Sequence, residues 1–123
     1  MKDLSPEKFL LLRQNTSAKA LISSSTTYTF DQLRQRVLAT ASYLRVQKIS
    51  FNDRVGIFGQ NSVDFVINVL ALWQISAVPV LLNVRLNETE LDEQIKIANC
   101  STILVQKELN NVFIPEINRV IEY

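Results

Sequence analysis

The first candidate for ligand binding or catalysis is a short polar turn between two apolar segments. Residues 54–59 (RVGIFG) predict a strand, and the overlapping GQNS at 59–62 predicts a turn into a helix. A helix N-terminus after a strand can bind an anion, because its first N–H groups lack partners within the helix. However, GIFG is not GxGxxG, and no P-loop lysine follows it. We therefore interpret Gly59 as a turn residue and Ser62 as a helix cap.

Four further side chains are candidates for binding or catalysis. Asp64 and Asn68 lie four residues apart on one strip of a predicted helix, where they more simply form its wet edge. Arg85 follows a predicted strand, at the sheet end where open α/β folds bind ligands, but it also suits an ordinary surface position. Cys100 has no histidine partner, so we interpret it as a buried structural thiol.

The composition removes several classes of site. The chain has no histidine, which is the commonest general base and metal ligand. It has 2 glycines, too few for a usual glycine-rich phosphate loop, and 1 cysteine, which excludes an intramolecular disulfide and a multi-thiolate metal site. Asp92 and Glu93 are adjacent on a predicted helix and point in different directions, so they are not a carboxylate pair. The sequence therefore predicts no catalytic, cofactor-binding or metal-ligating residue in this chain.

Charge and hydrophobicity indicate a globular chain without a strong electrostatic preference. The 123 residues include 13 Lys plus Arg and 12 Asp plus Glu, for a net charge of +1. That balance predicts no nucleic-acid partner and no membrane partner. Hydrophobic residues make up 47% of the chain, which fits one α/β domain over 1–123, with 107–123 the uncertain part. The lone cysteine and the lack of a visible signal peptide predict a cytoplasmic location.

Alternating helix and strand patterns organise the chain. The predicted elements are, in order, a helix that starts at Ser5 and Pro6, a hairpin of 20–22 with 28–29, a helix that starts at Thr29, a strand at 54–59, a helix at 63–74, a strand at 77–82, a helix that starts at Asn87 and a strand at 102–105. This rhythm gives parallel strands with right-handed crossovers. We expect a three-layer α/β unit in which helices flank a small, mostly parallel sheet of at least three parallel strands.

Two details of this pattern predict packing. The helix at 63–74 is apolar almost all round, so it should be buried on more than one side. Pro79 lacks an N–H group inside its strand, so that strand should lie at a sheet edge or contain a bulge.

Five ordered segments resemble motifs of the adenylate-forming (AMP-binding) enzymes, which include acyl-CoA synthetases and amino-acid adenylation domains. The similar pairs are YTFDQL at 28–33 with T-Y-x-E-L, DRVGI at 53–57 with G-D-x-V-x-I, QNSVDF at 60–65 with x-N-S-x-E-F, AVPVLLNVRL at 77–86 with G-A-V-x-V-P-L-N-x-R-L, and ETEL at 88–91, before ILV at 103–105, with an x-x-E-L helix and its next strand. The resemblance covers residues 20–106 and implies the fold of the family's N-terminal subdomain. It is nearest in character to small acyl-CoA ligases such as o-succinylbenzoate–CoA ligase of menaquinone synthesis.

The chain departs from this family in two respects. Ser76 stands where the family usually has glycine, which would be unfavourable if that position needs a positive φ. The family's phosphate loop with its lysine, its magnesium-holding acid, its ribose-binding aspartate and its C-terminal domain with a catalytic lysine have no counterpart here. The resemblance therefore implies ATP, Mg and CoA only for the full-length family enzyme.

The resemblance implies a function for the whole enzyme and a scaffolding role for this chain. It would be the N-terminal portion of an ATP-dependent acyl-CoA ligase, not catalytic alone, which packs on the remaining part of the ligase or a complementary chain. An isolated chain would expose apolar surface and could self-associate. Two alternatives are a stand-alone interaction module, or half of a split ligase, and an independent nucleotide-binding domain of flavodoxin-like shape, which the scarcity of glycine disfavours.

Overall fold

The computed structural model describes residues 19–22, 27–109 and 119–123. Within these residues, a two-stranded antiparallel hairpin precedes a sheet of four parallel strands in the order β4-β3-β5-β6. The strands are β1 (Lys19–Ile22), β2 (Thr27–Thr29), β3 (Arg54–Phe58), β4 (Val78–Leu82), β5 (Thr102–Val105) and β6 (Arg119–Glu122). The predicted hairpin and parallel sheet are confirmed, whereas the helix predicted from Ser5 lies outside the described residues.

Three α-helices occupy the described part of the chain, and each begins at the predicted cap. They are α1 (Phe30–Val46), α2 (Val63–Gln74) and α3 (Glu88–Ala98). The Thr29 hydroxyl accepts a hydrogen bond from the N–H of Gln32, whose side chain accepts one from the N–H of Thr29. Asn87 forms the same reciprocal capping box at α3, and the Ser62 hydroxyl caps α2. These short-range bonds pair N–H groups that a helix start leaves without partners.

Helices cover both faces of the parallel sheet, so the predicted three-layer arrangement is confirmed. Val55, Ile57 and Leu104 belong to a buried cluster with residues of α1 and α2. The neighbouring positions Phe58 and Ile103 belong to another buried cluster with α3. This alternation follows from strand geometry, in which successive side chains point to opposite faces.

Helix α2 lies against both the sheet and α1, which confirms that it is buried on more than one side. Ala71 and Leu72 pack in the cluster on the sheet. Ile67 packs instead with Leu33 and Val37 of α1. Apolar side chains on different sides of α2 are therefore buried, as the sequence predicts. None of the helices in the described residues is both long and apolar enough to cross a bilayer.

Strand β4 lies at the edge of the sheet, as predicted. Its hydrogen-bond pattern explains how Pro79 is tolerated there. The N–H of Val78 donates to the carbonyl of Asp53 at 2.8 Å, towards β3. Because successive residues of a strand direct their backbone groups to opposite sides, the nitrogen of Pro79 faces away from β3. The missing N–H of Pro79 therefore removes no ladder bond.

The sequence did not identify β6, which adds a fourth parallel strand beside β5. Its residues 119–122 fall in the uncertain segment 107–123, and four residues are too few for a decisive pattern. The pairing aligns Ile103 with Val120 and Leu104 with Ile121. A distant partner strand, rather than local pattern, therefore places β6.

Ser76 adopts the backbone conformation for which the family's glycine would be suited. Its φ is 61°, in the left-handed region that disfavours residues with a Cβ. We predict that Ser76→Gly raises the free energy of unfolding by about 1 kcal/mol, measured by equilibrium urea denaturation.

The control for Ser76→Gly is Ser42→Gly in α1. Ser42 is exposed in the helix interior, where glycine should lower stability by roughly 0.5 kcal/mol. Equal effects of the two substitutions would contradict the role assigned to the positive φ.

Candidate functional site

A cleft of about 570 Å³ opens at the carboxyl ends of β3 and β4. One wall is the turn at 59–61, the other is the segment 81–85, and Phe65 of α2 contributes between them. The structure thus brings together the turn after β3 and Arg85, which the sequence identified separately. Open α/β sheets commonly bind ligands at this end.

The turn after β3 is held by residues from the far end of the chain. The N–H of Gln60 donates to the side-chain oxygen of Gln106 at 2.9 Å, and the N–H of Gln106 donates to the carbonyl of Phe58 at 2.9 Å. Tyr123 packs against Gly59 so closely that a β-carbon at Gly59 would lie 2.0 Å from the tyrosine hydroxyl. Glycine is needed here because Tyr123 occupies the space, not because φ is positive.

Tyr123 packs against Gly59 in its neutral form and is not suited to act as a base. Its hydroxyl is buried and has no hydrogen-bond partner within the described residues. Burial raises the pKa of Tyr123 to about 12, and the negative charges of Asp64 and Glu108 act in the same direction. The phenol therefore stays protonated at neutral pH.

The polar groups at the cleft suit binding better than catalysis. The Asn83 side chain accepts a hydrogen bond from the N–H of Arg85 at 2.9 Å, which fixes the turn after β4. Arg85 and Asn61 are exposed at the cleft, and the guanidinium of Arg85 has no partner within the described residues. These groups can contact an anionic or polar ligand. The described lining holds no carboxylate or thiol to serve as base or nucleophile.

Of the two residues predicted to form the solvent-exposed edge of α2, Asp64 is exposed as predicted and Asn68 is not. Asp64 is exposed and accepts a hydrogen bond from Arg36 at 3.3 Å. Asn68 is only 7% exposed, and its side-chain amide donates to the carbonyl of Asp64 at 2.8 Å. The prediction was wrong for Asn68, because an amide can satisfy a donor within its own helix and then be buried.

The remaining candidates lie away from the cleft. Cys100 is half-buried, and burial raises the pKa of its thiol, so the reactive thiolate is disfavoured. Asp92 pairs with Lys96 at 2.7 Å on the surface of α3 and not with Glu93. No group of three or more histidine, cysteine or acidic residues that could hold a metal occurs among the described residues.

A family model described as "AMP-binding enzyme" matches residues 11–122. The chain belongs to the AMP-binding enzyme family. This match confirms the resemblance of the sequence motifs to those of AMP-binding enzymes. The fold also matches solved structures, including one described as an N-terminal subdomain.

Curated relatives give further similarities. The chain is 36% identical over 72 residues to 3-oxocholest-4-en-26-oate–CoA ligase of Rhodococcus rhodochrous, covering 58% of this chain and 13% of that protein. It is 32% identical over 92 residues to feruloyl-CoA synthase of an Amycolatopsis species, covering 75% and 19% respectively. The chain thus spans less than a fifth of the length of these two relatives.

Two solved structures show the same fold. The o-succinylbenzoate coenzyme A synthetase of Bacillus subtilis, in complex with AMP, has a TM-score of 0.87 and 24% identity, covering 93% of this chain and 30% of that one. The N-terminal subdomain of Klebsiella oxytoca NpsA, in complex with 3-hydroxybenzoyl-AMSN, has a TM-score of 0.83 and 22% identity, covering 94% and 28%. At this identity the likeness establishes the fold alone.

Proposed function

We propose that this chain is the N-terminal portion of an ATP-dependent acyl-CoA ligase and that it is not catalytic alone. The observation that carries the proposal is the family match over residues 11–122, on the fold of an N-terminal subdomain. Two of the similar curated proteins are named for joining an acid to CoA. In the proposed reaction, a carboxylate attacks ATP and releases pyrophosphate, and the CoA thiol then displaces AMP to form a thioester.

The donor groups of the described residues support the proposal that the chain needs the rest of a ligase. Mg²⁺ prefers carboxylate, carbonyl and water oxygens, yet the cleft at β3 and β4 has no carboxylate in its described lining. The turn at 59–62 carries no phosphate-loop lysine. The residues present therefore do not fit a complete ATP–Mg site, and no reaction step is assigned to them.

The role left to this chain is to provide one rigid layer of the enzyme. Buried clusters on both faces of the parallel sheet fix the ends of β3 and β4. Gln106 and Tyr123 then fix the turn that forms one wall of the cleft. We place this function in the cytoplasm, where a reducing environment suits the lone half-buried cysteine.

The first experiment is to find the mass of the native protein in its source cells with an antibody raised against this chain. ATP–pyrophosphate exchange is then measured for the 123-residue chain and for any longer species, with ferulate, 3-oxocholest-4-en-26-oate and o-succinylbenzoate as carboxylates. We expect exchange by the longer species only, and only when one of these carboxylates is added.

Each other outcome contradicts a specific part of the proposal. Exchange by the 123-residue chain would show that it is catalytic alone. A longer species without exchange on any of the three acids would contradict the expectation that one of them is its substrate. A native species of 14.0 kDa with no copurifying polypeptide would contradict the need for the rest of a ligase.

A further inference from the structure

A second, smaller cleft lies at the amino ends of β3 and β4, opposite the first. Its volume is about 420 Å³, and we call it the basic cleft because Arg45 and Lys48 line it together with Phe51. Ile49 and Ile75 are buried and also line it, whereas Phe51 is 72% exposed. The basic cleft therefore combines positive charge with an accessible apolar surface.

The positive charges of the basic cleft lack acidic partners within the described residues. The nearby carboxylate of Asp53 accepts hydrogen bonds from the N–H and the hydroxyl of Ser50. A cation in the last turn of α1 is favourable beside the negative end of the helix dipole. That explanation accounts for Arg45 but not for an aromatic ring left in water next to it. An acidic partner with an apolar side chain would match both features.

Helix α3 presents a surface of the complementary kind, which we call the acidic face. Glu90, Glu93 and Ile97 are spaced i, i+3 and i+7, so they share one side of the helix. Ile97 is 81% exposed, while Leu91 and Ile95 bury the opposite side of α3. The carboxylate of Glu90 is held by the N–H of Asn87, and Glu93 has no partner within the described residues.

The two surfaces cannot meet within one molecule. The acidic face belongs to α3, on one side of the parallel sheet, and the basic cleft lies at the end of α1, on the other side. We propose that the acidic face of one copy docks in the basic cleft of a second copy, with Ile97 against Phe51 and Glu93 near Arg45 and Lys48. The contact uses different surfaces on the two copies, so it repeats head to tail.

The test is the mass of the 123-residue chain in solution, measured by sedimentation velocity over a range of concentrations. We expect a weight-average mass that rises above 14.0 kDa with concentration. Raising NaCl from about 50 to about 500 mM should weaken association, because salt screens exposed charges. A monomer at every concentration in low salt would overturn the proposal.

Two variants each disable one side of the contact. Arg45→Glu with Lys48→Glu alters the basic cleft, and Glu93→Gln with Ile97→Ser alters the acidic face. Each should weaken association at least about tenfold. The control is Arg85→Glu with Lys107→Glu, which makes the same change in charge at the other end of the sheet and should associate like the parent chain.

Mixing the two variants distinguishes this contact from any other. The cleft variant retains a normal acidic face, and the acidic-face variant retains a normal basic cleft. An equimolar mixture should therefore form a heterodimer of twice 14.0 kDa that does not grow further. Near-ultraviolet circular dichroism checks that both variants fold. If folded variants stay monomeric when mixed, or if either associates as well as the control, the proposal is wrong.

Discussion

Replacing Gly59 with alanine is expected to lower the free energy of unfolding by about 3 kcal/mol. The new β-carbon would lie 2.0 Å from the hydroxyl of Tyr123 and 3.1 Å from the ring carbon that bears it. The backbone of Tyr123 is fixed, since its N–H donates to the carbonyl of Val105 and its carbonyl accepts from the N–H of Lys107. Relief of the clash would therefore require its side chain, whose hydroxyl is buried, to rotate. Equilibrium urea denaturation followed by circular dichroism measures the change.

Tyr123→Phe tests the cause of this loss. The hydroxyl is buried without a partner in the described residues, so its removal alone should change stability by less than about 1 kcal/mol. In the Gly59→Ala background the same change removes the shortest contact and should recover about half of the loss. The ring carbon still lies close, so the recovery is incomplete.

Gly56→Ala is the matched control for this double-mutant cycle. Its β-carbon would meet the end of the Leu82 side chain at 2.8 Å, and Tyr123 is not among its nearest neighbours. Tyr123→Phe should therefore leave the effect of Gly56→Ala unchanged. Additive effects of Gly59→Ala and Tyr123→Phe would contradict the direct contact.

Local signals in the sequence were enough to predict most of the fold. Thr29, Ser62 and Asn87 were predicted as helix caps, and each bonds to a backbone group three residues away. Pro79 was predicted to lie at an edge because the missing N–H is a property of the residue itself. Features that depend only on a residue and its neighbours along the chain can therefore be predicted from the sequence alone.

The parts of the cleft that the sequence missed depend on distant residues. Gln60 is bonded to Gln106, which lies 46 residues further along the chain. Tyr123 directly follows β6, and β6 is placed by pairing with β5. Asn68 does not line the cleft and was missed for a local reason: its polarity predicts exposure, but a hydrogen bond within α2 permits its burial. Sequence spacing therefore located the walls of the cleft but not what holds them.

The second large effect is expected for Ile67→Ala, which should lower the free energy of unfolding by about 3 kcal/mol. Ile67 is 1% exposed and packs between α2 and α1 against Leu33 and Val37. Removing its buried methyl and methylene groups leaves a cavity that two packed helices cannot fully close. Thermal and urea denaturation at low protein concentration give the change.

Ile97→Ala is the control for the same side-chain truncation, because Ile97 is 81% exposed on α3. Ile97→Ala should change the free energy of unfolding by less than about 0.5 kcal/mol, because the groups that it removes are already exposed to solvent. A large difference between the two isoleucines would mean that α1 and α2 form a stabilising core without the rest of a ligase. Similar small effects would mean that the packing of α1 on α2 adds little to the stability of the isolated chain. The burial of α2 would then stabilise only a larger assembly.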